Sequence, residues 1–179
     1  ERAPFTVEWV EEQRVIDVGG VQTRIVLDRV DRLADGSFAV IDYKTGASAR
    51  PAAWMGERPE LPQLPLYVRA IGHEQVSAVA FGIVCRGSTK YRGFARDGAV
   101  FPQLKPFDAA SAPFKDYANW GDLLQAWNRR LESLAREQAQ GDARLAPNPV
   151  KACRYCHLRG VCRSAQALLE PEEGDDAAG

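Results

Sequence analysis

The chain has 179 residues, 45% of them hydrophobic and 26% charged. That balance excludes a disordered chain and allows one ordinary domain with a buried core. Net charge is −1, so bulk charge does not announce a nucleic-acid binder. Five acids crowd the last ten residues, however (Glu170, Glu172, Glu173, Asp175 and Asp176), and without them 23 cations face 19 acids, leaving residues 1–169 at +4. Arginine outnumbers lysine 18 to 5; a guanidinium fork suits phosphate, and it also serves ordinary surface pairing.

Residues 5–18 are rich in β-branched and aromatic side chains and read as a strand. Gly19-Gly20 turns the chain, and residues 21–33 resume as a second strand. Asp35-Gly36 marks a hairpin, and residues 38–44 form a third, mostly apolar and hence central strand. The chain thus opens with an antiparallel meander. Residues 45–59, with Gly46, Pro51, Gly56 and Pro59, read as a loop. The pattern predicts a helix from about Glu60 to Ile71. Pro62 and Pro65 are tolerated in its first turn, where amides have no partner to lose, and Gly72 stops it. Residues 76–85 are apolar throughout and read as a buried fourth strand, residues 89–96 as a fifth. Residues 98–118 show little periodicity. Residues 121–139 carry an apolar stripe at Leu123, Leu124, Trp127, Leu131 and Leu134, the mark of an amphipathic helix. Pro147-Asn148-Pro149 breaks the chain before a cysteine cluster, and residues 170–179 read as an acidic, disordered tail.

The longest apolar run, Ala78 to Cys85, is too short to span a bilayer. Nothing near the start reads as a cationic segment followed by an apolar one. Because the chain opens at Glu1, it is expected to be an excised or processed piece of a longer protein. Three of its four cysteines fall within ten residues, which suits a metal site in a reducing, cytoplasmic compartment better than a disulfide framework.

Chemistry is concentrated in two places. In Ile41-Asp42-Tyr43-Lys44-Thr45-Gly46, Asp42 and Lys44 are two apart on a strand and share a face. A charged pair at the exit of an apolar strand is costly unless it is paired or binds something. The preceding strand carries Leu27-Asp28-Arg29-Val30-Asp31. Taken alone, that run reads as a solvated face with local ion pairs. With a hairpin at Asp35-Gly36, Asp28 and Asp42 lie on paired strands. Two converging carboxylates suit a divalent cation such as Mg²⁺, which takes one or two of them and keeps several waters. A lysine alongside can orient water or stabilise a developing phosphorane.

These residues resemble the PD-(D/E)XK nuclease core. The spelling Leu-Asp-Arg-Val-Asp, thirteen residues between Asp28 and Asp42, and Ile-Asp-Tyr-Lys-Thr-Gly resemble the RecB-type branch, which includes the RecB, AddA and AddB nuclease domains. That branch adds a Gln-x-x-x-Tyr helix; here Gln63-Leu64-Pro65-Leu66-Tyr67 begins nineteen positions past Lys44, and its i, i+4 spacing puts both polar tips on one face. The resemblance implies an α/β (mixed α+β) fold with a central mixed sheet flanked by helices. It implies Asp28 and Asp42 as ligands of Mg²⁺ or Mn²⁺ with help from the Tyr43 carbonyl, Lys44 as catalytic lysine, and Gln63 and Tyr67 as positioning groups.

The second place is Cys153-x2-Cys156-x5-Cys162. Such spacing can wrap one metal centre. On the residues alone it suits either an iron–sulfur cluster or Zn²⁺, with His157 or Cys85 available as a fourth ligand. Similarity to AddB-type members implies a [4Fe–4S] cluster whose fourth cysteine lies upstream. Cys85, at the end of an apolar strand, reads as a core residue. The branch also usually supplies an upstream His. His73 and His157 stand elsewhere, His73 reading as a cap or surface residue, and Glu8 on the first strand is a weak substitute. The expected organisation is a nuclease core over residues 1–150, truncated at its N-terminus, a cysteine segment over 151–169 and a tail over 170–179.

DNA is the implied substrate, cut at phosphodiester bonds, with exonuclease action and a role in bacterial DNA repair expected. No ATP-binding P-loop motif occurs in the chain, so a helicase region or subunit is the expected partner. Arg50, Arg58 and Arg69, with Arg86, Lys90 and Arg92, flank the site in sequence and are candidates for a DNA channel. Trp54 is a candidate for base stacking, although core packing is the commoner fate of a tryptophan. The rival reading is a DNA-gripping nuclease-fold module of weak activity, pinned by an iron–sulfur or zinc site.

Overall fold

The computed structural model of the chain describes residues 4–46, 49–142, 144 and 156–162. The chain divides into two compact units, Glu1–Asp142 and Ala143–Gly179. Cys153, the proline break and the acidic tail lie outside the described residues.

The first unit is built on a six-stranded mixed sheet in simple sequential order. Strands β1 (Phe5–Val18), β2 (Val21–Leu33) and β3 (Phe38–Lys44) form the antiparallel meander that the β-branched runs predict. Gly19 is needed at the first turn for two reasons. Its φ is +59°, and a Cβ there would stand 2.8 Å from the carbonyl oxygen of Glu132, so a side chain would both strain the backbone and push a helix away. Strand β3 then crosses through helix α1 (Gln63–Ile71) to strand β4 (Val76–Cys85), which lies parallel to it. Strand β5 (Ser88–Ala95) returns antiparallel, and a two-residue strand β6 (Lys105–Pro106) closes the order.

Helix α1 starts three residues later than its pattern suggests. Pro62 is its cap and Pro65 its third residue, so both prolines fall where no helical hydrogen bond is lost. The amide of Leu61 instead bonds the Ala53 carbonyl at 2.9 Å, tying the entry to a 3-10 turn at Pro51–Trp54. Helix α2 (Trp120–Ala139) opens on Asn119, whose side chain accepts the Asp122 amide at 2.9 Å, the usual way of satisfying a helix's first donors.

The sheet has a large core on one face and a small one on the other. Val40, Val79, Phe81 and Ile83 pack under Leu64 and Val68 of α1 and under Leu123, Leu124 and Trp127 of α2, with Trp54 between. Each fully buried Leu among them contributes about 1.5–3 kcal/mol. The reverse face is lined by Ala39, Ala78, Ala80 and Ala95, which let Leu33, Phe101 and Leu104 approach closely. Trp54 is thus a core residue, 1% exposed. Residues 98–118, which lack periodicity, fold as short turns around the anchors Phe101, Leu104, Phe107 and Phe114.

In the second unit the described residues form a turn at His157-Leu158 followed by a four-residue helix, α3 (Arg159–Cys162). The Leu158 amide donates to Cys156 Sγ at 3.4 Å. No helix among the described residues is long and apolar enough to cross a membrane.

Candidate active site

Strand alternation settles which groups meet. The β2–β3 ladder pairs Val30 with Val40, both in the core beneath the helices, so Asp42 and Lys44 face the helices as well. The last pair of that ladder, Arg29 with Ile41, places Asp28 opposite Asp42 one step further. Tyr67 on α1 donates its hydroxyl to Asp28 Oδ1 at 3.2 Å. The Tyr43 amide donates to Asp28 Oδ2 at 2.9 Å. Lys44 Nζ donates to Gln63 Oε1 at 2.7 Å and stands 6.0 Å from the Phe81 ring centre. The structure therefore brings Asp28, Asp42, Lys44, Gln63 and Tyr67 together at the C-terminal end of β3.

Asp42 is the unusual member. It is 1% exposed, and Lys44 Nζ lies 2.8 Å from its Oδ2. The two form an ion pair, yet neither oxygen of this buried carboxylate accepts a hydrogen bond of good geometry. Burial raises its pKa from the ordinary carboxylate value to about 6; Lys44 works against the rise, and the charge and close contact of Asp28 add to it. Burial also raises the Tyr67 hydroxyl, helped by the charges of Asp28 and Asp42, by its bond to Asp28 and by Glu11. A desolvated carboxylate without donors is costly to keep ionised. A cation is what would relieve it.

The other predicted residues fall elsewhere. Glu8 makes a two-pronged ion pair with Arg32, at 2.7 and 3.0 Å, which holds its carboxyl below the usual range. Arg69 donates to the Asp17 carbonyl at 2.8 Å and pairs with Glu132 at 2.9 Å and with Asn128. Arg58 pairs with Glu137 at 2.6 Å. Both thus tie helix α2 to the rest of the unit. Arg50 is looser, 3.7 Å from Glu60. Cys85 is partly buried against the core, and His73 Nε2 lies 3.2 Å from Glu74.

One neighbour is not legible in the sequence. The β1–β2 ladder runs Val10 with Arg29, then Glu12 with Leu27, skipping the position where Glu11 faces Asp28. Glu11 holds a left-handed backbone, φ +52°, which costs a non-glycine residue about 1–2 kcal/mol. Leu27 and Asp28 are consecutive, yet Leu27 sits in the core under the helices and Asp28 reaches Tyr67 on that same side. Asp28 shares its face with Val30 by ordinary alternation, and the break opposite Glu11 is what turns Leu27 and Ile25 back into the same core.

The chain matches the family described as the PD-(D/E)XK nuclease superfamily over residues 1–163, and it belongs to that superfamily. No curated protein sequence matches it significantly. The mixed sheet with helices is consistent with this nuclease core, and superfamily members generally use Mg²⁺ or Mn²⁺. Asp42, buried and lacking donors, fits such an ion, as does a set of two carboxylates, since Mg²⁺ keeps several waters. Among the described residues no cluster of three acidic, His or Cys side chains forms.

Proposed function

We propose that the protein is a Mg²⁺- or Mn²⁺-dependent deoxyribonuclease, with Asp28 and Asp42 holding the cation and the Tyr43 carbonyl assisting. The observation that carries this is the pair of buried Asp42 oxygens without hydrogen-bond donors, set opposite Asp28 and beside Lys44. The bound ion would neutralise phosphate charge and favour ionisation of the attacking water. Lys44, 2.8 Å from Asp42, is placed to stabilise negative charge developing on the phosphorane. Gln63 holds the ammonium through Oε1, and Tyr67 and the Tyr43 amide fix the Asp28 carboxylate. Phosphate contacts fall first to Arg50, the least engaged of the three predicted arginines; Arg58 and Arg69 would have to leave their carboxylates on α2.

The finer reading is an AddB-like exonuclease domain of a cytoplasmic DNA repair protein, working with a helicase. Its support is the Cys153, Cys156 and Cys162 spacing, and the amide directed at Cys156 Sγ is consistent with a ligating thiolate. Residues 151–169 would then be a cluster segment distinct from the nuclease core. A [4Fe–4S] protein is brown and bleaches on oxidation, whereas the zinc alternative is colourless and carries one zinc.

The decisive experiment is cleavage of single-stranded and duplex DNA with and without Mg²⁺. Lys44→Ala is expected to lower the rate by at least about 100-fold while DNA binding persists. Equal cutting by both forms removes Lys44 from the mechanism.

A further inference from the structure

We propose that a recess on the reverse side of the catalytic strand holds an unstacked base of single-stranded DNA, next to the nucleotide being cut. The proposal rests on the nuclease reading for its substrate class. Side chains alternate along β3, so Tyr43 points to the face opposite Asp42 and Lys44. The residue is 42% exposed, and its ring lies on Gly82, its partner across the β3–β4 ladder. A Cβ at Gly82 would stand 2.7 and 2.8 Å from two ring carbons of Tyr43. Any side chain there would lift the ring off the sheet. The Arg29 guanidinium, donating to the Tyr43 hydroxyl at 3.2 Å, holds the outer edge of the ring.

Gly82 pairs in turn with Tyr91 on β5. That ring is braced edge-on by Phe101, with centroids 5.2 Å apart. Two tyrosines therefore flank a bare glycine across three adjacent strands. A recess of about 320 Å³ opens there, lined by Tyr43, Gly82, Lys90, Tyr91 and Gln103 among others. Its chemistry is that of a base platform: aromatic faces, an amide able to bond a base edge, and positive charge for the backbone. Residues 76–95 contain no acid, and Lys90, which lines the recess, makes no ion pair among the described residues; Arg92 belongs to the helix face, where it donates to the Ala49 carbonyl at 3.0 Å. A strand bending over the end of β3 would present a phosphate to Lys44 on one side and a neighbouring base to Tyr43 on the other.

The test uses the Lys44→Ala protein, so that DNA survives, and measures affinity by fluorescence anisotropy for a single-stranded oligonucleotide and for copies with one abasic site at successive positions. Loss of affinity at one position, with the others silent, is expected. Tyr43→Ala added to Lys44→Ala should weaken binding of the intact oligonucleotide by about 5- to 150-fold, the range for one stacked base, and should abolish the abasic effect. Tyr43→Phe should restore both, since it keeps the ring. Uniform affinity across all abasic positions overturns the proposal, and this arm needs no change at Tyr43. A Tyr43→Ala loss that is the same on intact and abasic DNA also overturns it. Cleavage by the unmodified protein is scored separately. Cutting without base-dependent binding sinks only this platform, and base-dependent binding without Lys44-dependent cutting sinks only the nuclease reading.

Discussion

The two faces of the sheet each bury an aspartate, and the two differ in what surrounds them. Asp31, on the reverse face beside Ala39, is 0% exposed, and Arg29 Nε donates to it at 2.8 Å. Asp42, on the helix face, is 1% exposed and its oxygens have no hydrogen-bond donor. Burial alone therefore does not mark a functional carboxylate. Asp31 has the donor that a buried charge needs and reads as part of the scaffold, while Asp42 keeps its coordination capacity in reserve. The fold tolerates that because Lys44 supplies nearby charge and because one destabilised group is a small part of a large core.

The sharpest break in this comparison is cleavage. Asp42→Asn is expected to cut activity by at least about 100-fold, whereas Asp31 plays no part in the site. Stability should separate them next, with opposite signs. Arg29→Met leaves Asp31 buried without its guanidinium and is expected to cost about 3–5 kcal/mol in a denaturant melt. Asp42→Asn should instead stabilise the metal-free protein at pH 7.5 by up to about 3 kcal/mol. The sign follows from a folded pKa of about 6 that lies above the unfolded value of 3.8. The stability this group contributes is fully present below pH 3.8 and is lost as pH rises through about 6. The advantage of asparagine should accordingly vanish at pH 4. Added Mg²⁺ should raise the melting temperature of the unmodified protein and leave Asp42→Asn unmoved.

Tyr67→Phe removes one bond to Asp28 but leaves the Tyr43 amide in place. A loss of about 1 kcal/mol, or about fivefold in cleavage rate, is expected. At the small end, Glu8→Gln should change neither cleavage nor the Mg²⁺-induced rise in melting temperature, because Glu8 is committed to Arg32 at the surface. A large effect there would place Glu8 in the metal site after all.

Much of this architecture was legible in local chemistry. The β-branched runs and glycine turns give β1, β2 and β3 their bounds, and the apolar stripe gives α2. Other features depend on distant partners. The start of α1 depends on Leu61 bonding Ala53. Strand β6 is two residues paired with Phe94 and Ala95, too short to leave a periodic trace. Arg58 and Arg69 look like free cations in the sequence, and their carboxylate partners on α2 lie 79 and 63 residues away. Asp31, within a run that reads as a solvated face, is fully buried.

By itself the sequence determined the order of the main strands and helices and put Asp42 with Lys44 on one strand face and Gln63 with Tyr67 on one helix face, because strand alternation and helical spacing are short-range properties of the backbone; it was the resemblance to the nuclease family that joined these four with Asp28 as one candidate site. Tertiary structure decided that these five converge, through the pairing of β2 with β3 and the docking of α1 over β3. It also decided which buried aspartate accepts a well-aligned hydrogen bond from its cation and which does not. A carboxylate's solvation depends on everything packed around it, and that surrounding is assembled only when residues far apart in the chain come into contact.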